Sequence, residues 1–461
     1  MRDKTKKIAI IGAGITGLSV AHYLEKFLKP DDAEIFLLEN DSRLGGKILT
    51  VIEDGFVIEG GPDSIYLFKP GAMELIKELH LEESIVRPPV GARAFIFSRG
   101  KLRNFPEGFY GLAPRDFIKF LKSDLFSFSG KFRMLLEPLI PVKDTGDETL
   151  GDFVRRRLGK EALSRYAGPL LSGIYAADPD DMSILATFPY YKDMERKYGS
   201  LTKAALRAPV KKSTGSPFLT LDKGLSMLVE AITQNLHRTQ IVLDADIRSI
   251  EKDRMGYIVL GREKLQVDEI VFASPSFDTA KLLKNLSPEA SRILKEIRYV
   301  STLTISMAFR EDGISLPPGS TGFMVARGEN LRISACTFSS NKWPGHAPEG
   351  FHLIRCFLGR AGFEKVVDYE NDEILEIALE DLRKVIGELS NPIFYRIFRW
   401  RKGMPQYRVG HLNLLGNLGE SLPDGIHIVG AAYRGIGIPD CINQGRNVAK
   451  VLAEKYENSK N

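Results

Sequence analysis

The chain has 461 residues, 43% hydrophobic, 27% charged and 9% aromatic, which excludes a disordered or collagen-like polymer and, at roughly 100–200 residues per domain, predicts more than one structural unit. The 64 Lys and Arg exceed the 59 Asp and Glu by only +5, too small a surplus to suggest nucleic acid as a partner. Three cysteines, Cys336, Cys356 and Cys441, form neither a disulfide framework nor a metal-like spacing, so a reducing compartment fits and no metal is expected.

Lys7 to Gly12 reads as a buried strand running into Gly12-Ala13-Gly14-Ile15-Thr16-Gly17. The basic residues before it, Met1 to Lys7, precede too short an apolar run for a signal peptide, and no segment reaches the roughly 18–20 apolar residues of a spanning helix. Thr16 to Leu28 has apolar positions at helical spacing, and after a polar turn Glu34 to Leu38 forms a second strand ending at Glu39. In such a unit Gly12 permits the tight turn, Gly14 lets the backbone approach a pyrophosphate, and Gly17 lets helix and strand pack closely. The phosphates then lie at a helix N-terminus, and Glu39 is placed to accept hydrogen bonds from ribose hydroxyls. A dinucleotide is therefore expected. The following Arg43-Leu44-Gly45-Gly46-Lys47 resembles the glycine pair of large FAD-dependent oxidases and desaturases, which implies FAD.

Phe109, Phe117, Phe120, Leu125, Phe128 and Phe132 alternate with Arg115, Lys119, Lys122, Lys131 and Arg133, a helical texture that continues to about Arg207 and could be core or membrane-facing surface. Strand-like alternation returns at Gln240 to Leu243, Arg248 to Glu251, Tyr257 to Leu260 and Glu269 to Ala273, and again at Leu303 to Phe309 and His352 to Phe357. The last block reads as strand Ile426 to Val429, a glycine-rich turn through Gly430 and Gly437-Ile438-Pro439, and a helix from Asn443 to Glu454. We therefore expect an α/β protein with a discontinuous Rossmann-like FAD domain (1–82, 217–281 and 410–461). An α+β substrate domain (83–103 and 282–409) and an inserted, membrane-facing helical domain (104–216) complete the expected division.

These features, with Gly60-Gly61-Pro62-Asp63-Ser64, Asp222 to Leu225, Gly322 to Val325, Ser340 to Pro344, Met404-Pro405-Gln406-Tyr407 and Tyr433 to Ile442, resemble in order the FAD-dependent porphyrinogen oxidases of haem synthesis. The resemblance implies an enzyme that oxidises protoporphyrinogen IX or coproporphyrinogen III by six electrons to the porphyrin, with molecular oxygen as acceptor and hydrogen peroxide as product. It also implies a cytoplasmic location, peripheral contact with the inner face of the cell membrane, and hand-off of product to a ferrochelatase. No general base or nucleophile stands out, because the cofactor carries the hard chemistry.

Position by position, the resemblance places Gly12, Ala13, Gly14, Ile15, Thr16, Gly17 and Glu39 on the adenosine diphosphate half, with Asn40, Arg43, Gly46 and Lys47 nearby. Gly60, Gly61, Pro62, Asp63 and Ser64 would pass the isoalloxazine, Ile247 would offer backbone contacts to adenine, and Trp400, Gly430, Gly437, Ile438 and Pro439 would complete the pocket. The chain departs from the wider superfamily at Ala431, where an acidic residue is common, and Asp63 replaces the Arg of animal members and matches the Gram-positive type. That type resembles coproporphyrinogen oxidases, whose four propionates call for cationic anchors, with Lys69 and Arg93 the candidates; Phe323, Met324 and Phe338 are candidate apolar walls. The other readings are an amine oxidase or carotenoid desaturase, or a non-catalytic binding protein on the same fold.

Overall fold

The computed structural model describes residues 5–143, 146–209 and 216–458. The first residues of the basic N-terminal stretch, the last residues of the expected helical insert before its boundary at 216, and the extreme C-terminus lie outside the described residues.

A five-stranded parallel sheet has the order Thr239–Val242, Ala33–Leu38, Lys6–Ile11, Glu269–Phe272, Ile426–Ile428. Its strands are apolar at successive positions because both faces are covered. Ile8, Ile10, Ile35, Leu37 and Val271 turn to one side, into the core shared with helices Ile15–Phe27 and Ile438–Asn458. Ala9, Ile11, Phe36, Leu38, Ile270 and Phe272 turn to the other, against the three-stranded sheet Ser249–Asp253, Gly256–Leu260, Lys264–Val267 and helices Ser276–Leu282 and Pro288–Glu296.

A seven-stranded sheet follows the order Phe394–Pro405, Tyr299–Arg310, Phe351–Leu358, Ala335–Phe338, Ser320–Val325, Arg93–Ser98, Lys101–Asn104. All neighbours are antiparallel except Ser320–Val325 beside Arg93–Ser98. Its back face, with Leu303, Ile305, Met307, Phe309, Ile354 and Cys356, packs on helix Asn371–Ile386. Its front face meets the hairpin Thr50–Glu53/Phe56–Glu59, where Phe56 and Ile58 pack on Ala308 and Leu353.

The stretch after Asn104 begins with a short two-stranded pair, Phe109–Tyr110 and Ala113–Pro114, and turns helical only at Phe117–Lys122, later than the aromatic texture suggests. Five of the helix starts there carry a short polar side chain that accepts from a backbone N–H: Asp116, Ser127, Thr149, Ser183 and Ser200. Between the helices lies a buried ion network in which Arg157 pairs with Glu137 and Glu195, and Lys192 reaches Glu148 at 2.8 Å. Outside, Ile118, Leu121, Phe128, Phe132 and Leu139 are exposed beside Lys119, Lys122 and Lys131, while Phe120 and Met134 turn inward. Among the described residues no helix is long and apolar enough to cross a membrane.

Two of the element boundaries that differ from the sequence reading have a local cause. Strand Tyr299–Arg310 starts before Leu303 because an irregularity between Val300 and Thr302 lets pairing continue. The last helix starts at Ile438, not Asn443, because Pro439 sits in the first turn, where a missing N–H costs nothing.

Candidate functional site

The turn after the first strand needs its glycines. Gly12 has φ +102°, and a Cβ there would lie 3.0 Å from the backbone of Ala273 and Ser274. A Cβ on Gly17 would fall 1.9 Å from the Gly12 carbonyl oxygen, whereas one on Gly14 would meet nothing within 4 Å. Gly14 is also the cap of helix Ile15–Phe27 and supplies no side-chain acceptor to its first N–H groups. Open space beside a helix start with free donors fits a diphosphate.

Glu39 sits beside this loop and accepts from the Ala13 and Asp41 amides at 2.6 and 3.0 Å. Each carboxylate oxygen keeps a further lone pair for a ribose hydroxyl. Asn40 Oδ1 accepts from the Ile247 N–H at 3.0 Å, so of Ile247's backbone groups the carbonyl is left for an adenine. Around this end Asn40, Asp244, Asp246, Arg248, Gly261 and Arg262 line a cavity of about 490 Å³. Its Asp and Arg walls were not legible in the sequence.

Arg43 turns back on its own loop, its guanidinium donating to the Leu44, Gly46 and Ile48 carbonyls. Gly45 pairs with Gly14, its N–H donating to the Ala13 carbonyl at 2.9 Å, and Gly46 comes so close to Gly14 that a Cβ would lie 3.1 Å from its Cα. Burial holds the Lys47 ammonium below the ordinary lysine range. The Lys47 carbonyl lies where a Cβ on Gly61 would be, 1.7 Å from that position.

The Gly60–Ser64 loop rests on the front face of the seven-stranded sheet. The Gly60 carbonyl accepts from Trp400 Nε1 at 2.8 Å, Thr304 Oγ1 at 3.2 Å and Arg355 Nη2 at 3.3 Å, and Arg355 also donates to the Gly61 carbonyl. Asp63 pairs with Lys342 at 3.0 Å and accepts from Ser64 Oγ at 2.9 Å. Burial alone would raise its carboxyl, but the Lys342 and Arg355 charges outweigh that and hold it well below the usual range. Burial instead dominates at Glu59, pushed up to about 7 against the opposing bonds from Leu225 N–H and Thr50 and the Arg355 charge. Arg355, 2% exposed, has Nε and Nη1 buried without a partner among the described residues. Arg355 escapes sequence reasoning, and Lys342 enters it only as a member of the Ser340 to Pro344 motif, with no role given. The one available signal is an arginine inside the otherwise apolar run Phe351–Leu358.

At the other chain end Gly430 has φ +130°, with nothing nearer than 3.8 Å to a built Cβ. Asp440 accepts from the Gly437 N–H at 3.2 Å and from Lys69 Nζ at 2.7 Å, and Asn443 donates to the Pro70 carbonyl at 2.7 Å. Lys69 is thus committed to helix Ile438–Asn458, and a ligand carboxylate would compete with Asp440. Arg93 is corrected: it is exposed at the start of its strand, in phase with Phe95 and Phe97 of the back-face core and so turned away from the front face. Phe323 and Phe338 are corrected: they pack at 6.1 Å in the back-face core, 2% and 0% exposed. Strand alternation turns their neighbours Met324 and Thr337 to the front, with Phe357, whose ring lies 4.8 Å from the Arg355 guanidinium. Among the described residues no group of three or more His, Cys, Asp or Glu is arranged to hold a metal.

The family model of flavin containing amine oxidoreductases matches residues 15–453. Coproporphyrinogen III oxidase of Bacillus subtilis (strain 168) is 36% identical over 97% of both chains, and that of Staphylococcus aureus (strain NCTC 8325 / PS 47) is 33% identical over 98% of this chain and all of its own. The crystal structure of an Exiguobacterium sp. 255-15 protein, provisionally named protoporphyrinogen oxidase, superposes with a TM-score of 0.88 at 33% identity, covering 98% of this chain and 99% of that one. A putrescine oxidase structure, at 15% identity and TM-score 0.72 over 98% and 99% of the two chains, shares the fold.

Proposed function

The chain belongs to the flavin containing amine oxidoreductase family, and we propose that within it the protein is an FAD-dependent porphyrinogen oxidase of haem biosynthesis. The observation that carries this reading is identity above 30% along nearly the whole of two coproporphyrinogen III oxidases. When bound, FAD supplies the two-electron acceptor for carbon–hydrogen oxidation. Conversion of a porphyrinogen to a porphyrin removes six electrons, so three two-electron turnovers use three molecules of oxygen and release three of hydrogen peroxide.

The chain's own residues bind and orient. The Gly12–Gly17 turn and Glu39 hold the adenosine diphosphate half; Asn40 and the Ile247 carbonyl flank the adenine, while Arg43, Gly46 and Lys47 shape the loop against it. Gly60 to Ser64, braced by Trp400 and Arg355, and Gly430 with Gly437 to Pro439 form the two walls of the isoalloxazine. The macrocycle lies against the front face, with Met324 and Phe357 as its apolar floor and Lys69 as a cation for a propionate. We keep the division into FAD, substrate and helical domains, supported by separate apolar clusters in the parallel-sheet, seven-stranded and helical regions, except that Ile85–Val86 pairs with the strand Phe218–Leu221 and so joins the flavin side. The outward apolar and basic face around Phe128 rests on an anionic membrane, at the inner surface of the cell membrane, where product passes to a ferrochelatase.

Anaerobic mixing of flavin-loaded protein with coproporphyrinogen III or protoporphyrinogen IX tests the reading through bleaching of the flavin band near about 450 nm. Bleaching is expected with both and faster with coproporphyrinogen III. No bleaching by either refutes the reading, and bleaching by an amine alone moves the protein to the amine oxidases.

A further inference from the structure

Both loops that wall the flavin site are tied to one strand and its continuation. Strand Phe394–Pro405 holds the Gly60 carbonyl through Trp400, and two residues past its end comes Tyr407, 1% exposed. The Tyr407 hydroxyl donates to the Ala431 carbonyl at 2.7 Å and accepts from the Gly435 N–H at 2.8 Å. Its ring lies on the His411 imidazole, centroids 4.2 Å apart and planes 12° from parallel, and His411 Nε2 donates to the Tyr433 carbonyl at 2.9 Å. A carbonyl only accepts, so that nitrogen carries the proton.

Tyr407 and His411 therefore hold alternate backbone groups, at 431, 433 and 435, of the segment between strand Ile426–Ile428 and helix Ile438–Asn458, and Gln444 of that helix adds bonds at Gly430 and Arg434. That segment belongs to no sheet ladder, and Gly435, at φ +105°, would give it many conformations if released.

We propose that Tyr407 is a positioning residue for the cofactor: by bridging Ala431 to Gly435 it fixes the curve of the C-terminal loop and so sets where the flavin-side helix begins. The proposal rests on the reading of Gly430 to Pro439 as a flavin wall. Tyr166 supplies the control. It is 4% exposed, belongs to the same apolar cluster, and its hydroxyl donates to the Gly111 carbonyl at 3.0 Å, in the helical region.

The full chain is prepared as wild type, Tyr407→Phe and Tyr166→Phe, stripped of FAD and titrated with FAD by fluorescence quenching. The visible flavin spectrum of each reloaded protein and backbone hydrogen exchange over 431–437 in each FAD-free protein are recorded as well. Tyr407→Phe is expected to raise the FAD dissociation constant about tenfold, the worth of roughly one net hydrogen bond, to shift the visible band, and to speed exchange in the loop. Tyr166→Phe should match wild type in all three. Wild-type affinity and spectrum in Tyr407→Phe, or equal losses in Tyr166→Phe, overturn the proposal. Should Tyr407→Phe not fold, the wild type alone decides: slow exchange at Gly435 without FAD supports the bridge, and unprotected exchange overturns it. A wild type that binds no FAD refutes the flavin reading instead.

Discussion

Glu59 stands where the hairpin delivers the chain to the Gly60–Ser64 loop, and its two oxygens already accept from Leu225 N–H at 2.6 Å and Thr50 Oγ1 at 2.9 Å. Its carboxyl is pushed by burial from 4.5 to about 7, so between those values the folded protein binds more protons than the unfolded chain. Stability attributable to Glu59 is then greatest at low pH, falls as pH rises from about 4.5 to about 7, and levels off above. Glu59→Gln should be more stable than wild type by roughly 2–3 kcal/mol at pH 8 and equal to it near pH 4, measured as the difference between the two urea-unfolding curves across pH. Arg355 sets a complementary test. A lysine keeps the charge but not the rigid guanidinium plane whose Nη2 donates to both the Gly60 and Gly61 carbonyls. Arg355→Lys should therefore lower the flavin-to-protein absorbance ratio of purified enzyme with an unchanged far-ultraviolet spectrum. Gly12, Gly17 and Glu39 were legible in the sequence because their geometry is built within one strand, helix, strand unit. Arg355 and Lys342 were not, since only the fold carries them from a distant sheet to the Gly60–Ser64 loop.

The helices between Phe117 and Arg207 carry two kinds of information, and only one is written locally. Capping by Asp116, Ser127, Thr149 and Ser200 follows from short polar residues just ahead of apolar runs. The Arg157 network does not, because Glu137 and Glu195 come from separate helical turns. Arg157→Ala leaves two buried carboxylates without that partner and should cost about 3–5 kcal/mol in urea unfolding. The outer face gives a test of its own: Phe128→Asp, at a side chain 86% exposed, should leave flavin content unchanged while reducing sedimentation with phosphatidylglycerol vesicles several-fold. Undiminished sedimentation would remove this face from membrane contact. Phe323 and Phe338 show the opposite limit at the scale of a strand. Their apolar character was plain, but which face they took depended on register with Ala335–Phe338 and Phe351–Leu358.

At the scale of the molecule, the cofactor's proposed walls come from residues 12–17, 39–47, 60–64, 247, 400 and 430–439, so its binding reports on every core at once. Removing FAD should lower the melting temperature of the whole chain, and restoring it at a hundredfold excess over its dissociation constant should return about 2.7 kcal/mol, read as a concentration-dependent shift in calorimetry. The sequence suggested this discontinuity through its two glycine-rich ends, but not the Ile85–Val86 pairing, which only strand neighbours reveal. The parallel sheet has one more consequence, for synthesis. Strand Lys6–Ile11 lies between Ala33–Leu38 and Glu269–Phe272, and the sheet ends with Ile426–Ile428. At roughly 5–20 residues per second a ribosome releases the first of these tens of seconds before its second neighbour, Glu269–Phe272, exists. Throughout that interval the nascent chain holds out an apolar, unpaired edge, which makes its early life a problem for chaperones rather than for chemistry.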